Sequence, residues 1–359
     1  TSGSGTSSTY NAHQASSTIA VSAVTAGTRV RQTFRRFAYQ PGKGQRWLMT
    51  GILGTPATGI TRRLGMYTTE NGNYFESAPD GVHIVTRTFT GGSAINNRVA
   101  QSSWNLDKLN GLGLSGLNAD WSKVQIFGCF FEWLGAGSIW FFVVINGETI
   151  VVHRADYANQ SLTVSFSSPN LPMRCEISND GTGAIAALTH ICGSVASEGG
   201  QNPTSIYRSA NRGVLAMQTA NDALIYPIFA ARINDSKLDA HVQLRTISLA
   251  CASTSIFNWT LVLNPTVTGA VLAYTNPTNS FVDVCVSATN TTTISGGTIV
   301  AGGTIQQTNE SSQIVLPVDN ELTFGSSIAG VSDIMCVGVQ RITGTTETFY
   351  GALGWDEHV

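Results

Sequence analysis

The chain has 359 residues, of which 42% are hydrophobic and only 12% charged, with 37 glycines and a formal net charge of −2. Charge at about half the ~25% usual in globular proteins, replaced by Gly, Ser, Thr and Asn, excludes intrinsic disorder for most of the chain and excludes a coiled coil; it describes a β-rich shell. The longest apolar run, Ile139–Ile145, falls far short of the ~20 residues that a membrane helix needs, so it reads as a buried strand and no membrane partner is expected.

In chain order, residues 1–18 are almost wholly Thr, Ser, Gly, Asn and Gln. They cannot bury enough apolar surface to hold themselves down, which predicts a flexible N-terminal arm ordered only against a partner. Eight of the 20 basic residues precede Glu70, and none of the 22 acidic ones does. Within that stretch RVRQTFRRFAYQPGKGQRW (29–47) interleaves arginines with Phe34, Phe37, Tyr39 and Trp47. Single-strand nucleic-acid binders combine these residue types. A chain that is acidic overall favours docking between subunits instead, with Arg29, Arg31, Arg35 and Arg36 as candidate subunit contacts on the acidic surface of a neighbouring copy.

Beyond this segment, short runs rich in Val, Ile, Thr and aromatics alternate with Gly, Pro, Asn and Asp, the pattern of many short antiparallel strands. HIVTRTFT (83–90), KVQIFGCFFEWLG (123–135), SIWFFVVINGETIVVHR (138–154) and LTVSFSS (162–168) read as one meander. Asn146-Gly147, set between two apolar strands, is a strong hairpin signal. Helical character is confined to a short stretch around Leu106–Leu109, behind a candidate cap at Asn105. GLGLSG (111–116) matches G-x-G-x-x-G letter by letter but lacks the preceding strand and following helix of a dinucleotide site, and reads as a wide turn. The Ser/Glu/Gly/Gln/Asn/Pro stretch at 197–204 is a candidate boundary. Strands resume at 241–251, 258–265, 271–276, 281–288, 314–318 and 334–342. The predicted fold class is all-β, an antiparallel β-sandwich of jelly-roll type. It comprises the arm (1–18), a sandwich domain (19–200) and a second β-rich region (201–359) that either stands alone or completes the same sandwich.

Chemistry-bearing motifs are sparse. The six cysteines are widely spaced without a CxxC pair and read as small buried hydrophobes rather than disulfides. The six histidines stand too far apart to form a spaced metal motif, so no metal ligand, cofactor or catalytic residue is assigned. Glycoside hydrolysis needs two carboxylates across a cleft. The candidate pair is Glu132 with Asp156, for which an ion pair to arginine is the simpler reading. Trp104, Trp121, Trp133, Trp140 and Trp259 have apolar flanks that place them in a core rather than on a sugar-stacking platform.

Several longer phrases carry a resemblance: RVRQTFRRFAYQPGKGQ, LGMYTTENGNYFE, SSWNLDKLNGLGLSGLNADWSKVQIFGCFFEWLGAG, SSPNLPMRCEISNDGTG, ICGSVASEGG, LVLNPTVTGA and the terminal GTTETFYGALGWDEH. Over residues 28–357 the chain resembles a family of virion structural proteins of tailed bacteriophages and some large DNA viruses. The resemblance implies a non-enzymatic subunit of a capsid decoration, fibre, neck or tail appendage, located in the virion and needing no cofactor. A surface this poor in charge predicts a homo-oligomer, trimeric or higher, in contact with other virion proteins, while the acidic balance of the chain means nucleic acid is not expected as a partner. A host-glycan-binding adhesin is the alternative, and a glycan depolymerase the second alternative.

Overall fold

From residue 45 onward core side chains recur at every second position, as a sheet covered on one face requires. In the computed structural model Trp47, Met49, Leu64 and Met66 are all buried. The structure describes residues 1–359 apart from 201–204, 214–216, 219–222, 252–255, 307–311, 316–321, 344–347 and 359. The chain divides into two compact units, Thr1–Asn202 and Pro203–Val359, and both are all-β with antiparallel pairing.

The first unit is a sandwich of two seven-stranded sheets. Sheet A runs β1 (Ser2–Gly3), β4 (Gly27–Gln32), β13 (Met173–Asn179), β6 (Ile60–Tyr67), β7 (Gly72–Ala78), β8 (Gly81–Thr88) and β9 (Ile95–Ala100). Sheet B runs β12 (Glu148–Ala155), β11 (Ile139–Ile145), β10 (Gln125–Phe131), β5 (Gln45–Ile52), β14 (Ala186–Ser197), β3 (Ser16–Val21) and β2 (Thr6–Asn11). Asn146 and Gly147 join β11 to β12 with φ of 55° and 83°, the positive pair that a two-residue hairpin turn demands. Between the sheets lies one apolar core. Phe75 is its aromatic hub, with ring centroids 5.1 Å from Phe127, 5.7 Å from Phe141, 6.3 Å from Trp104 and 6.4 Å from Trp47. The second unit has its own core, between a sheet containing 205–211, 348–358, 241–251 and 312–315 and a sheet containing 282–285, 226–233, 334–343, 256–263 and 298–306.

Several sequence expectations need correction. Residues 1–18 do not wait for a partner: Thr6–Asn11 pairs with Ser16–Val21 and Ser2–Gly3 with Gly27–Thr28. Ser and Thr bury little, yet their backbones complete sheet edges, so hydrogen bonding orders a segment that composition alone leaves free. Leu106–Leu109 is not helical. Asp107 accepts from the backbone N–H groups of Leu109 (2.8 Å) and Ser115 (2.7 Å) and folds the stretch into a loop. Residues 162–168 form no strand: Ser165 N–H donates to the Gly135 carbonyl, and Leu162 is fully exposed. Residues 271–276 contribute a single bridge, Thr275 to Val284. Cys129, Cys175, Cys285 and Cys336 are buried free thiols, whereas Cys192 is exposed; the Cys251 side chain lies outside the described residues.

Phe75→Ala removes the ring that four other aromatics share. The expected loss is about 3–5 kcal/mol of unfolding free energy. Leu162→Ala, at a fully exposed position, should stay within about 0.5 kcal/mol of the parent. Urea titration of the full chain measures both.

Candidate functional site

Sheet A has a second face, and its composition differs sharply from the core. Leu64, Phe75, Ile84 and Val99 are cross-strand partners pointing inward. Shifting the register by one residue brings Glu176, Arg63, Glu76 and His83 side by side on the opposite face, with Arg174 and Arg98 one row away. The period of two therefore sorts an apolar and an ionic set from the same five strands.

Glu76 is 2% exposed and sits at the centre of the ionic set. Its Oε2 accepts from Arg63 Nε and its Oε1 from Arg98 Nε, both at 2.7 Å. Arg63 Nη1 donates to Glu176 Oε1 at 2.7 Å, and Glu176 Oε2 accepts from Arg174 Nη2 at 2.7 Å. At the other end Arg98 grips Asp80 with both terminal nitrogens, at 2.9 and 2.8 Å, the bidentate geometry that a planar guanidinium suits best. Charges alternate in sign along the whole row, so the two buried carboxylates, Glu76 and Glu176, lie in the company of cations. Burial alone would raise the Glu176 carboxyl, but Arg63 and Arg174 outweigh it and hold the group below its ordinary value. The hydrogen bonds from Arg98 hold Asp80 at about 2.

Beside this row Tyr67 and Tyr74 lie with ring centroids 4.4 Å apart, both wholly buried, and burial pushes both phenols up. Arg87 lies 5.6 Å and 5.3 Å from their ring centroids and Arg174 lies 5.2 Å from that of Tyr67. Arg87 donates to Asn96 Oδ1 (2.8 Å), the Thr68 carbonyl (2.9 Å) and Tyr74 Oη (3.1 Å). Where the row reaches the turn between β7 and β8, it opens into a recess of about 420 Å³ lined by Thr61, Arg63, Glu76, Ala78, Pro79, Asp80, Asn96 and Arg98. His83 stands behind this wall at 4% exposure. Its Nδ1 is 3.1 Å from the Gly81 carbonyl and 3.3 Å from Arg98 Nη2, and its Nε2 is 3.6 Å from Asp80 Oδ2. A neutral ring cannot both donate to Gly81 and accept from Arg98 through the same nitrogen, so the position of its proton is tied to Arg98 and Asp80.

The residues singled out from sequence lie elsewhere. Arg29 donates to Thr1 Oγ1 at 2.8 Å; Arg31 is exposed on β4; Arg35 is exposed and Arg36 half-buried in the turn that follows; none lines the recess. Asp156 accepts from Ser138 Oγ (2.6 Å) and Arg154 Nε (2.9 Å), and neither it nor Glu132 reaches the recess. Trp104, Trp121 and Trp259 are buried, while Trp133 and Trp140 are half-buried. Among the described residues no three of His, Cys, Asp and Glu converge as a metal-binding group. Arg63, Glu76 and Arg98, which sequence reasoning passed over, are the ones the fold brings together.

No family model and no curated protein matches the chain. Among solved structures it is similar to two of family 7 alginate lyase A1-II′, one in complex with a product (GGG) and one with a substrate (GGMG). The first has a TM-score of 0.31 and 9% identity, covering 53% of this chain and 83% of the lyase. The second has a TM-score of 0.30 and 10% identity, covering 54% of this chain and 83% of the lyase. Both of those proteins are enzymes, and the expectation of a non-enzymatic virion structural protein finds no support in any of the comparisons.

Two outcomes follow from the ionic row. Glu76→Gln leaves Arg63 and Arg98 facing a neutral amide and should cost about 3 kcal/mol, near the low end for breaking a buried pair because both arginines are partly exposed; urea denaturation reads it. Asp80 is depressed from 3.8 to about 2, so its contribution to stability is complete above pH 4 and is lost as the pH falls from about 4 to 2. Glu176, also depressed, adds loss in the same acid range. Melting temperatures taken down that range should fall for the parent and fall less for Arg98→Ala, which has already lost the Asp80 pair.

Proposed function

We propose that the first unit acts on a glycan as a depolymerase, with one sugar unit seated in the recess beside Pro79. The observation that carries this reading is the make-up of the recess. Ala78 and Pro79 offer an apolar patch, and Thr61, Asn96, Asp80, Arg63 and Arg98 surround it with hydroxyl, amide, carboxylate and guanidinium groups. A sugar has the same two-sided character, with C–H faces and a rim of hydroxyls that both donate and accept. A few polar groups converging on a concave site of this size suit a small polar ligand. The ionic row behind the wall supports rigidity, because each guanidinium there is held by at least one carboxylate at 2.7–2.9 Å. Cleavage, beyond retention, draws support from His83. Imidazole is the side chain most used for proton transfer, and this one lies between Asp80 and Arg98, two residues that line the recess.

The test is a panel of neutral and uronate-containing polysaccharides incubated with the full chain, followed by release of reducing ends and by the ultraviolet absorbance of unsaturated uronates. Cleavage of at least one polymer is expected, with activity lost in Thr61→Trp, which fills the recess, at an unchanged melting temperature. Equal cleavage by the filled variant would move the site elsewhere. Binding without cleavage would replace the depolymerase by an adhesin.

A further inference from the structure

Sheet B also has an outer face, and it is built by the opposite rule from that of sheet A. Its central strands place Leu48, Ile126, Trp140 and Phe142 there, while the alternate residues Trp47, Phe127, Phe141 and Val143 enter the core. The run Ile139–Ile145 is thus apolar on both sides, although only one side faces the sandwich interior. Toward β3 and β2 the face continues with small neutral side chains: Ser194 and Ala196 are exposed, and the Thr18 and Thr189 hydroxyls meet at 3.0 Å. Along the paired strands of this face the ionised side chains are Arg46 and Arg154, both in the row that contains Trp140. Arg154 is held by Asp156 at 2.9 Å and lies 5.2 Å from the Trp140 ring centroid. A sheet face left to solvent normally carries Lys and Glu among its Thr residues. Depletion of charge with aromatic residues at the centre is instead the composition of a buried interface.

We infer that this face packs against the same face of a second copy of the chain, sheet on sheet about a two-fold axis. Size favours that occupant. Each of seven strands spaced about 4.8 Å apart turns about three residues outward, so the face covers roughly 34 by 20 Å; that is about 680 Å² per copy and about 1,360 Å² for the pair, above the ~1,000 Å² that a specific interface needs. Charge favours it as well. A nearly neutral face offers a differently charged partner nothing to recognise, but it meets itself without opposing like charges, provided the two-fold axis sets the arginine row of each copy over the neutral end of the other. Flat sheet faces stack in this way at about 10 Å, with the strands inclined by about 30°.

The experiment is sedimentation equilibrium of the full chain from low to high micromolar concentration, beside the double variant Ser194→Glu and Ala196→Glu. Both positions are exposed, so the added carboxylates disturb no packed side chain, and an unchanged circular dichroism spectrum confirms that the variant folds. The parent should sediment at twice the chain mass and the variant at the chain mass. A monomeric parent over the whole range overturns the inference and leaves the face to a different partner. An assembly that persists undiminished in the double variant overturns it too, by placing the contact elsewhere. Neither result depends on glycan cleavage, so the two proposals stand or fall separately.

Discussion

Glu76 can be buried only because both of its oxygens are answered by cations, and the outer half of sheet A follows from that constraint. Every residue of β7 is buried, so this strand is covered on both faces. A strand in that position usually carries apolar residues on each side. Here Phe75 meets the aromatic core while its neighbour Glu76 meets Arg63 and Arg98. Consecutive residues on one peptide thus anchor an aromatic cluster of the core and an extended ion-pair row. A buried carboxylate with one partner removed retains its desolvation cost without the compensating attraction, which is why such a row holds its geometry closely once formed. The recess inherits that rigidity, since Arg63, Glu76 and Arg98 are at once members of the row and walls of the cavity.

Much of the architecture was legible from residue order. The Asn146-Gly147 turn and the Val- and Ile-rich runs at 83–90, 138–154, 241–251 and 334–342 derive from local chemistry, and each is found as a turn or strand. Expectations failed where a segment's conformation is decided by groups far away or by single hydrogen bonds. LTVSFSS has the alternation of a strand, but Ser165 N–H is taken by Gly135 and the run becomes a loop. The polar segment at the N-terminus has no apolar reason to order, yet the edge of β3 accepts it residue by residue from Asn11 back to Thr6. Alternation predicts strands without naming the partner, and the partner settles both cases.

The site was harder to read for the same reason. A search for spaced motifs gave Glu132 and Asp156, whereas the fold assembles Arg63, Glu76, Arg98 and Glu176, which belong to no motif. One part of this was within reach. The short turn between Ala78 and Gly81 sets the β7–β8 register, and from it Glu76 falls opposite His83, a buried polar pair on one face. Arg98 needed the next turn as well, because ten residues separate it from Thr88 at the end of β8.

Glu176 was out of reach, and the reason bears on the uneven charge of the chain. Eight cations and no acid precede Glu70, which on paper asks for an acidic neighbour. For one of the eight, Arg63, the fold supplies it from within: β13 returns from residue 173 and inserts between β4 and β6, two strands of the basic segment. That crossover sets Glu176 against Arg63, 113 residues earlier in the chain. Arg62, one position along, points the other way and gives its donors to the Ala187 and Thr55 carbonyls, so it too is satisfied inside the unit. Basic residues of a segregated stretch can therefore be answered inside the fold, as Arg62 and Arg63 are. When an antiparallel sheet takes a late strand between two early ones, charges far apart in sequence become cross-strand neighbours.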